Sequence, residues 1–209
     1  MKLSVRAEHG LLLGYLGGVA GTLWDWREHY VGVSNQAPHA LIDASALAIV
    51  AVLGLWGWRR YSSGARTAIY YLLVVVALIA FLPFVLMLTA PHSTFMAAFM
   101  RFAMTRGSLI LEGPFVVLAA WAAWYWLKLQ GATVARIATA GGVVVAAAAS
   151  IWDLYWHQTH PLEMGTSMNM MTLPPHQLIL AGFLLGLIGS ASALISKGVV
   201  ERVAPGKPA

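Results

Sequence analysis

The chain of 209 residues contains no cysteine, and only 10% of its residues are charged. The absence of thiols excludes disulfides, thiolate-held zinc sites and iron–sulfur clusters. A soluble domain carries roughly 25% charged residues, and 59% of this chain is hydrophobic. Because so few polar side chains cannot cover a globule exposed to water, the composition predicts an integral membrane protein surrounded by the lipid bilayer.

Several enzyme motifs are also missing from the sequence. A Gly-rich phosphate loop is typical of nucleotide-binding proteins, G-x-S-x-G of hydrolases and H-E-x-x-H of metalloproteases. The sequence contains none of these three motifs. The formal net charge of +5 is compatible with nucleic-acid binding. However, the basic residues flank apolar segments, as the orientation rule for membrane proteins predicts, so we expect no nucleic-acid partner.

Six long apolar segments follow one another along the chain. A membrane-spanning helix needs about 20 mostly apolar residues, and these segments are too long and too uniformly apolar for barrel strands. We therefore predict an all-α integral membrane protein, a six-helix bundle that forms a single transmembrane domain over residues 1–209. The predicted spans are Glu8 to Trp26, His39 to Trp58, Thr67 to Ala90, Ser108 to Leu129, Val134 to Trp156 and His176 to Ser196.

The basic residues predict how the bundle is oriented. Ten of the thirteen Lys and Arg residues fall on one side of the predicted spans, and loops rich in Lys and Arg stay in the cytoplasm. We expect both termini to be cytoplasmic. The ten residues are Lys2, Arg6, Arg59, Arg60, Arg66, Lys128, Arg136, Lys197, Arg202 and Lys207.

One short pattern occurs twice, each time where one apolar segment ends and the next begins. The first copy is Trp24-Asp25-x-x-x-His29 followed by Pro38-His39-x-Leu41-Ile42, and the second is Trp152-Asp153-x-x-x-His157 followed by Pro175-His176-x-Leu178-Ile179. We interpret this as a duplicated helix hairpin, with copies at about residues 8–58 and 134–196, formed by helices one and two and by helices five and six. Because both copies run in the same direction, we expect both patterns on the outer (periplasmic or extracellular) side.

The spacing inside each copy brings acidic and imidazole groups together. Residues four apart share a helix face, so Asp25 and His29 are neighbours, and Asp43 shares a face with His39. We expect these four side chains to converge. In the second copy the corresponding residues are Asp153, His157, His160 and His176.

Asp and His residues near a bilayer are costly, so the repeated set is a hypothesis for a metal site. Two imidazoles with a carboxylate suit iron and copper, and the soft thioethers of a Met-rich loop favour copper. The predicted ligands are Asp25, His29, His39, Asp153, His157 and His176. Additional candidate ligands are Asp43, His160, Met164, Met168, Met170 and Met171, and Glu112 is either a hydrogen-bonding partner of a ligand or a charge at a helix N-terminus.

Purely structural interpretations of the same residues remain open. A Trp-Asp pair with a His at a helix end also anchors helices at the membrane interface through a hydrogen bond. Met-rich loops often only fill space. The pairs Gly17-Gly18 and Gly141-Gly142 predict points where two helices approach closely.

At these residues the chain resembles the C subunit of the copper membrane monooxygenases, the particulate methane and ammonia monooxygenase family. That subunit has an Asp-x-x-x-His followed by a second His at the start of the next helix. Here Asp25, His29 and His39 match this pattern, and Asp153, His157 and His176 match it again. The resemblance implies a copper-ligand set at each triad, O₂-dependent oxidation of small apolar substrates, and partner subunits.

We therefore expect a membrane metalloprotein that binds copper and acts as, or within, an O₂-dependent monooxygenase, with other membrane subunits or as a homo-oligomer. No catalytic residue is assigned. Three alternatives remain open: a carrier or permease component for copper or another metal ion, a heme protein that uses pairs of these histidines, and a structural subunit of a larger complex. Iron or heme in place of copper is part of the same set of alternatives.

Overall fold

The computed structural model describes residues 2–31, 37–56, 61–75, 94, 107–159 and 174–203. These residues form six α-helices and no strand. The helices are α1 (Lys2–Tyr30), α2 (Ala37–Trp56), α3 (63–75 in its described part), α4 (Gly107–Gln130), α5 (Val134–Thr159) and α6 (Pro174–Val203). The prediction of an all-helical chain is confirmed for the described residues.

Three of the described helices are long and apolar enough to cross a membrane. The apolar stretches are Ala37–Trp56, Val134–Asp153 and Pro174–Ser196, and a span needs about 20 such residues. These three stretches make a membrane protein plausible. Six spans, a duplicated hairpin and the orientation of the termini stay predictions.

The predicted spans fall on helices wherever the structure describes them. The helices α1 and α6 extend beyond the predicted ends by one or more turns, and α5 extends by three residues, because a helix continues past the apolar stretch as long as polar residues satisfy its backbone. The second half of the third predicted span, residues 76–90, lies outside the described residues. At the C-terminal end of α4, Gly131 has a positive φ of 81° and donates its N–H to the Leu127 carbonyl at 2.8 Å, the conformation of a glycine that ends a helix.

Five of the helices form a closed ring. The helices α1 and α2 are neighbours, α2 contacts α4, α4 contacts α5, α5 contacts α6, and α6 returns to α1. A further contact joins α2 and α5. The buried core inside this ring contains Tyr15, Ile49, Val143 and Phe183. This arrangement puts the two helix hairpins, α1–α2 and α5–α6, side by side.

Glycines allow these helices to approach each other. A Cβ atom at Gly142 of α5 would lie 2.5 Å from the backbone oxygen of Gly182 in α6, so the two backbones touch there. Between α1 and α6, the Phe183 ring occupies the space beside Gly18, and the Tyr15 ring occupies the space beside Gly186. Close approach at Gly17, Gly18 and Gly142 is therefore confirmed. The same prediction is wrong for Gly141, whose Cβ position has no neighbour within 4 Å because it faces away from α6.

Candidate metal centre

Asp25 lies in the second-last turn of α1 and carries a buried carboxylate. Its side chain is only 8% exposed. One turn later on the same helix, His29 places Nε2 at 3.5 Å from Asp25 Oδ2. This is the pair that the spacing of four residues predicts.

The second helix supplies another imidazole to the same carboxylate. His39 is the third residue of α2, and its Nε2 lies 3.5 Å from Asp25 Oδ1. Each carboxylate oxygen of Asp25 therefore faces a different histidine. One candidate ligand atom from each of Asp25, His29 and His39 lies within 4.8 Å of the other two, so these three side chains could hold a metal ion.

The second hairpin brings the equivalent residues together. His176 is the third residue of α6, as His39 is of α2, and its Nε2 lies 3.0 Å from Asp153 Oδ1. The His176 side chain is only 8% exposed. His157 follows Asp153 by four residues in α5, but its side chain lies outside the described residues.

A ring contact joins the two halves. The imidazoles of His29 and His176 are nearly parallel, with an angle of 14° and centroids 6.2 Å apart. His29 also meets His39 edge to face, with ring centroids 6.3 Å apart. The residues of the two sequence copies thus lie next to each other at one end of the bundle. The sequence analysis expected contacts within each copy, and this ring contact between the copies adds to them.

The sequence analysis missed a second buried carboxylate beside this group. Glu28 of α1 is buried, and its Oε1 accepts a hydrogen bond of 2.9 Å from Trp24 Nε1. The exposed Arg27 guanidinium lies 3.8 Å from the same oxygen. The spacing of four residues between Trp24 and Glu28 is the signal that predicts this contact. Glu28 is thus already held by its neighbours on the helix.

Asp43 is a further predicted member of the convergent set. Its side chain is exposed, and it is not part of the Asp25–His29–His39 group. Asp43 lies four residues, or about 6 Å of helix, beyond His39. At this depth of α2 the neighbouring Ile42 lies against Gly21 of α1. The convergence of Asp43 with Asp25 stays a prediction.

The remaining predicted residues cannot be placed. His160, Met164, Met168, Met170 and Met171 lie outside the described residues, as does the side chain of Glu112. The sulfur ligands expected for copper therefore stay a prediction.

The imidazole–carboxylate distances around Asp25 are longer than those of a typical hydrogen bond. An N–H···O hydrogen bond has its donor and acceptor 2.7–3.2 Å apart, whereas both imidazoles lie 3.5 Å from Asp25. Two ligand atoms bound at about 2.1 Å to a tetrahedral ion lie about 3.4 Å from each other. The Asp153–His176 distance of 3.0 Å is instead that of a direct contact.

Comparisons of the chain with protein-family models, with curated proteins and with solved structures find no match. The assignment of a function therefore depends on the residues and geometry described above.

Proposed function

We propose that this chain is an integral membrane metalloprotein whose Asp25–His29–His39 group binds a transition-metal ion. The observation that supports this most directly is the geometry of the group. One ligand atom from each side chain lies within 4.8 Å of the others, and the three residues provide the two imidazoles and one carboxylate that iron, copper and zinc sites use.

Burial of the carboxylate supports the same proposal. An ionised carboxylate that is removed from water needs a compensating positive charge, and Asp25 is a buried residue. The described groups nearest to its oxygens are two imidazoles, which carry a charge only when protonated. A bound cation would supply that charge while both imidazoles stay neutral.

Copper and an oxidative role are the further parts of this proposal. They rest on the resemblance of both triads to the C subunit of the copper membrane monooxygenases, and on the four methionines of the segment between α5 and α6. In the second hairpin, Asp153, His157 and His176 are the proposed ligands. The proposed activity is O₂-dependent oxidation of small apolar substrates, by this chain or by a complex that contains it.

The hydrogen bonds of three of the four buried Ser and Thr hydroxyls in the described helices favour this role over that of an ion carrier. Thr22, Thr139 and Ser190 each donate a hydrogen bond to a carbonyl of their own helix, at 2.7–2.8 Å. The Tyr15 hydroxyl donates to the Thr139 carbonyl. Because these hydroxyls satisfy the helix backbone, they do not form a row of free ligands for an ion crossing the bundle.

The ring contacts favour an ion over heme. A heme held by two of these histidines needs room for the porphyrin between the two imidazoles. Among the histidine pairs whose side chains are described, His29 meets His176 and also His39 with centroids about 6.2–6.3 Å apart. His29 therefore has two imidazole neighbours close to its ring, where a macrocycle would have to fit.

The test of the metal site is the metal content of purified protein, measured by mass spectrometry. We expect at least one copper ion per chain, and its loss in the double variant Asp25→Ala plus His29→Ala. His9→Ala is the matched control, because His9 lies in the same helix but about 24 Å from Asp25 along its axis. Purified chain without metal, or equal metal content in the double variant and the wild type, would refute the proposal.

The oxidative role needs its own experiment. The protein in lipid, supplied with a reductant, ¹⁸O₂ and a small alkane, should give an alcohol that carries ¹⁸O, and the double variant should not. Copper-loaded protein that produces no labelled alcohol, either alone or in its isolated native complex, would leave a metal site without this activity.

A further inference from the structure

An apolar cleft lies between α3 and α4. It has a volume of about 560 Å³, and its walls include Ala68 and Leu72 of α3 and Pro114, Val117 and Trp121 of α4. All the residues that line it are hydrophobic. Val117 is 69% exposed, so the cleft opens toward the outside of the bundle. A pocket of this size accommodates a small ligand or part of a larger one.

One end of the cleft lies far from the candidate metal centre. The Cβ atom of Ala122, the residue after Trp121 in α4, is 3.9 Å from the Cβ position of Gly54 in α2. Gly54 is fifteen residues beyond His39 on α2, which corresponds to about 22 Å of helix. The Trp121 end of the cleft is therefore at the opposite end of the bundle from the Asp25–His29–His39 group.

Aromatic rings surround this end of the cleft. The Tyr61 ring centroid lies 5.9 Å from that of Trp121 and 5.0 Å from that of Tyr125. The rings of Trp121 and Tyr125 are stacked, with centroids 5.7 Å apart. Trp and Tyr are enriched at the level of the lipid headgroups. In a bilayer the cleft thus runs from the headgroup level into the hydrocarbon.

Two basic side chains lie next to these rings. Lys128 follows Trp121 by seven residues, or about 10 Å of helix, and its Nζ lies 5.3 Å from the centroid of the Trp124 ring. Arg66 of α3 donates a hydrogen bond of 3.1 Å from Nε to the carbonyl of Tyr61. Both cations are therefore located at the aromatic end of the cleft.

Carboxylates are scarce in this part of the chain. Between Asp43 and Asp153 the sequence contains seven basic residues and one acidic residue, Glu112. Glu112 precedes Lys128 by sixteen residues on α4, or about 24 Å of helix. The aromatic end of the cleft therefore has an excess of positive charge, which attracts the anionic headgroups of a membrane surface.

We propose that the cleft binds one acyl chain of an anionic phospholipid, whose phosphate lies beside Arg66 and Lys128. The hydrophobic walls fit the hydrocarbon chain, and the two cations lie where the headgroup of the same molecule emerges. This inference rests on the part of the proposed function that puts the chain in a membrane, and not on the metal site. Because the acyl chain fills the space between α3 and α4, the lipid adds to the contact between these helices.

The charge of the headgroup is tested by titrating the full-length chain in detergent with a single phospholipid. Native mass spectrometry then gives the dissociation constant of the first bound lipid. We expect phosphatidylglycerol to bind about 30-fold more tightly than phosphatidylcholine, since each of the two cations strengthens binding of an anionic headgroup about 5-fold. Lys128→Gln should reduce this preference to about 5-fold, and Arg66→Gln plus Lys128→Gln should abolish it. Arg27→Gln, at the other end of the bundle, is the control and should keep it.

The position of the acyl chain is tested by filling the cleft. Ala68→Phe should weaken binding of both lipids about 10-fold, because excluding two methylene groups from an apolar site costs about that much in affinity. Ala120→Phe is the matched control, since Ala120 is exposed on α4 and does not line the cleft. Equal affinity of the wild type for the two lipids would overturn the proposal, and so would equal effects of Ala68→Phe and Ala120→Phe.

The metal content of the same samples separates this inference from the proposed metal site. Selective lipid binding by a chain without metal supports the cleft and refutes only the metal site. Bound metal without lipid selectivity refutes only the cleft. A chain that stays soluble after the detergent is removed would refute both, because neither proposal holds outside a membrane.

Discussion

The two helix hairpins share one sequence pattern, but they hold their acidic and imidazole groups differently. In α1–α2, Asp25 faces two histidines at 3.5 Å each, and one of these, His39, is half-exposed. In α5–α6, Asp153 lies 3.0 Å from His176, which is almost completely buried. Among the described side chains, which do not include that of His157, the first hairpin therefore has an open group and the second a close pair.

The contacts between the helices differ in a related way. In the first hairpin, the atoms nearest to the α1 glycines are side-chain atoms of α2: the Ser45 hydroxyl at Gly17 and Ile42 Cγ1 at Gly21, with backbone atoms of α2 no closer than 3.2 Å. In the second, the backbones of α5 and α6 touch at Gly142 and Gly182. A helix pair that meets backbone to backbone lies closer together than one separated by side chains. The closer approach of α5 and α6 is in line with the shorter distance between Asp153 and His176.

The largest expected effect concerns the two carboxylates. Asp25→Asn should weaken binding of the first metal ion about 1,000-fold, or about 4 kcal/mol, because the amide removes the charge from the open group. Asp153→Asn should weaken binding of that ion by only about 10-fold, the low end of the effect expected for a residue next to the ligands. Competition with a chelator of known affinity measures both values.

Equal effects of the two substitutions on metal affinity would contradict this comparison. If both substitutions weaken the first ion by the same factor, the two carboxylates act on a single shared ion. The two hairpins would then form one site rather than an open group beside a close pair.

The next effect concerns the helix contacts and is measured as thermal stability in detergent. Gly142→Ala should destabilise the protein by about 3 kcal/mol, because its Cβ would lie 2.5 Å from a backbone oxygen that cannot move aside. Gly17→Ala should cost less, since the nearest atom, also at 2.5 Å, is the Ser45 hydroxyl, which can rotate. Gly141→Ala is the control, and it should be neutral or stabilising by up to about 1 kcal/mol.

A different order of these three variants would contradict the described contacts. If Gly141→Ala destabilises as strongly as Gly142→Ala, then α5 does not present Gly142 to α6, and the close approach described for the second hairpin is wrong.

The smallest effect concerns the ring contact that joins the hairpins. A double-mutant cycle with His29→Ala and His176→Ala in metal-free protein should give a coupling energy of about 1 kcal/mol in the stability, because stacked rings stabilise each other by that amount. The pair His9 and His176 is the control and should show no coupling. Additive effects of the first pair would mean that the two halves do not contact each other through these rings.

Much of the helical structure can be predicted from the sequence. Long apolar segments interrupted by short polar ones predict the helices, and a spacing of four residues predicts the contact between Asp25 and His29. Both predictions depend only on the geometry of a single helix. The duplicated pattern also predicts that the acidic and imidazole groups of both copies lie on the same side of the membrane.

Contacts between helices are harder to predict from the sequence. The stacking of His29 on His176 depends on how α1 meets α6, where Phe183 lies against Gly18 and Tyr15 against Gly186. The sequence contains these residues, but it does not show which glycine receives which ring.

The central claim is that the open group of the first hairpin binds a metal ion through nitrogen and oxygen. X-ray absorption spectroscopy of the metal bound to purified protein tests this most directly. We predict neighbours at about 2.0–2.2 Å that are nitrogen and oxygen, with the outer scattering of at least two imidazoles, and loss of this signal in Asp25→Ala but not in His9→Ala. A spectrum dominated by sulfur neighbours, or one unchanged in Asp25→Ala, would place the ion elsewhere and contradict the account.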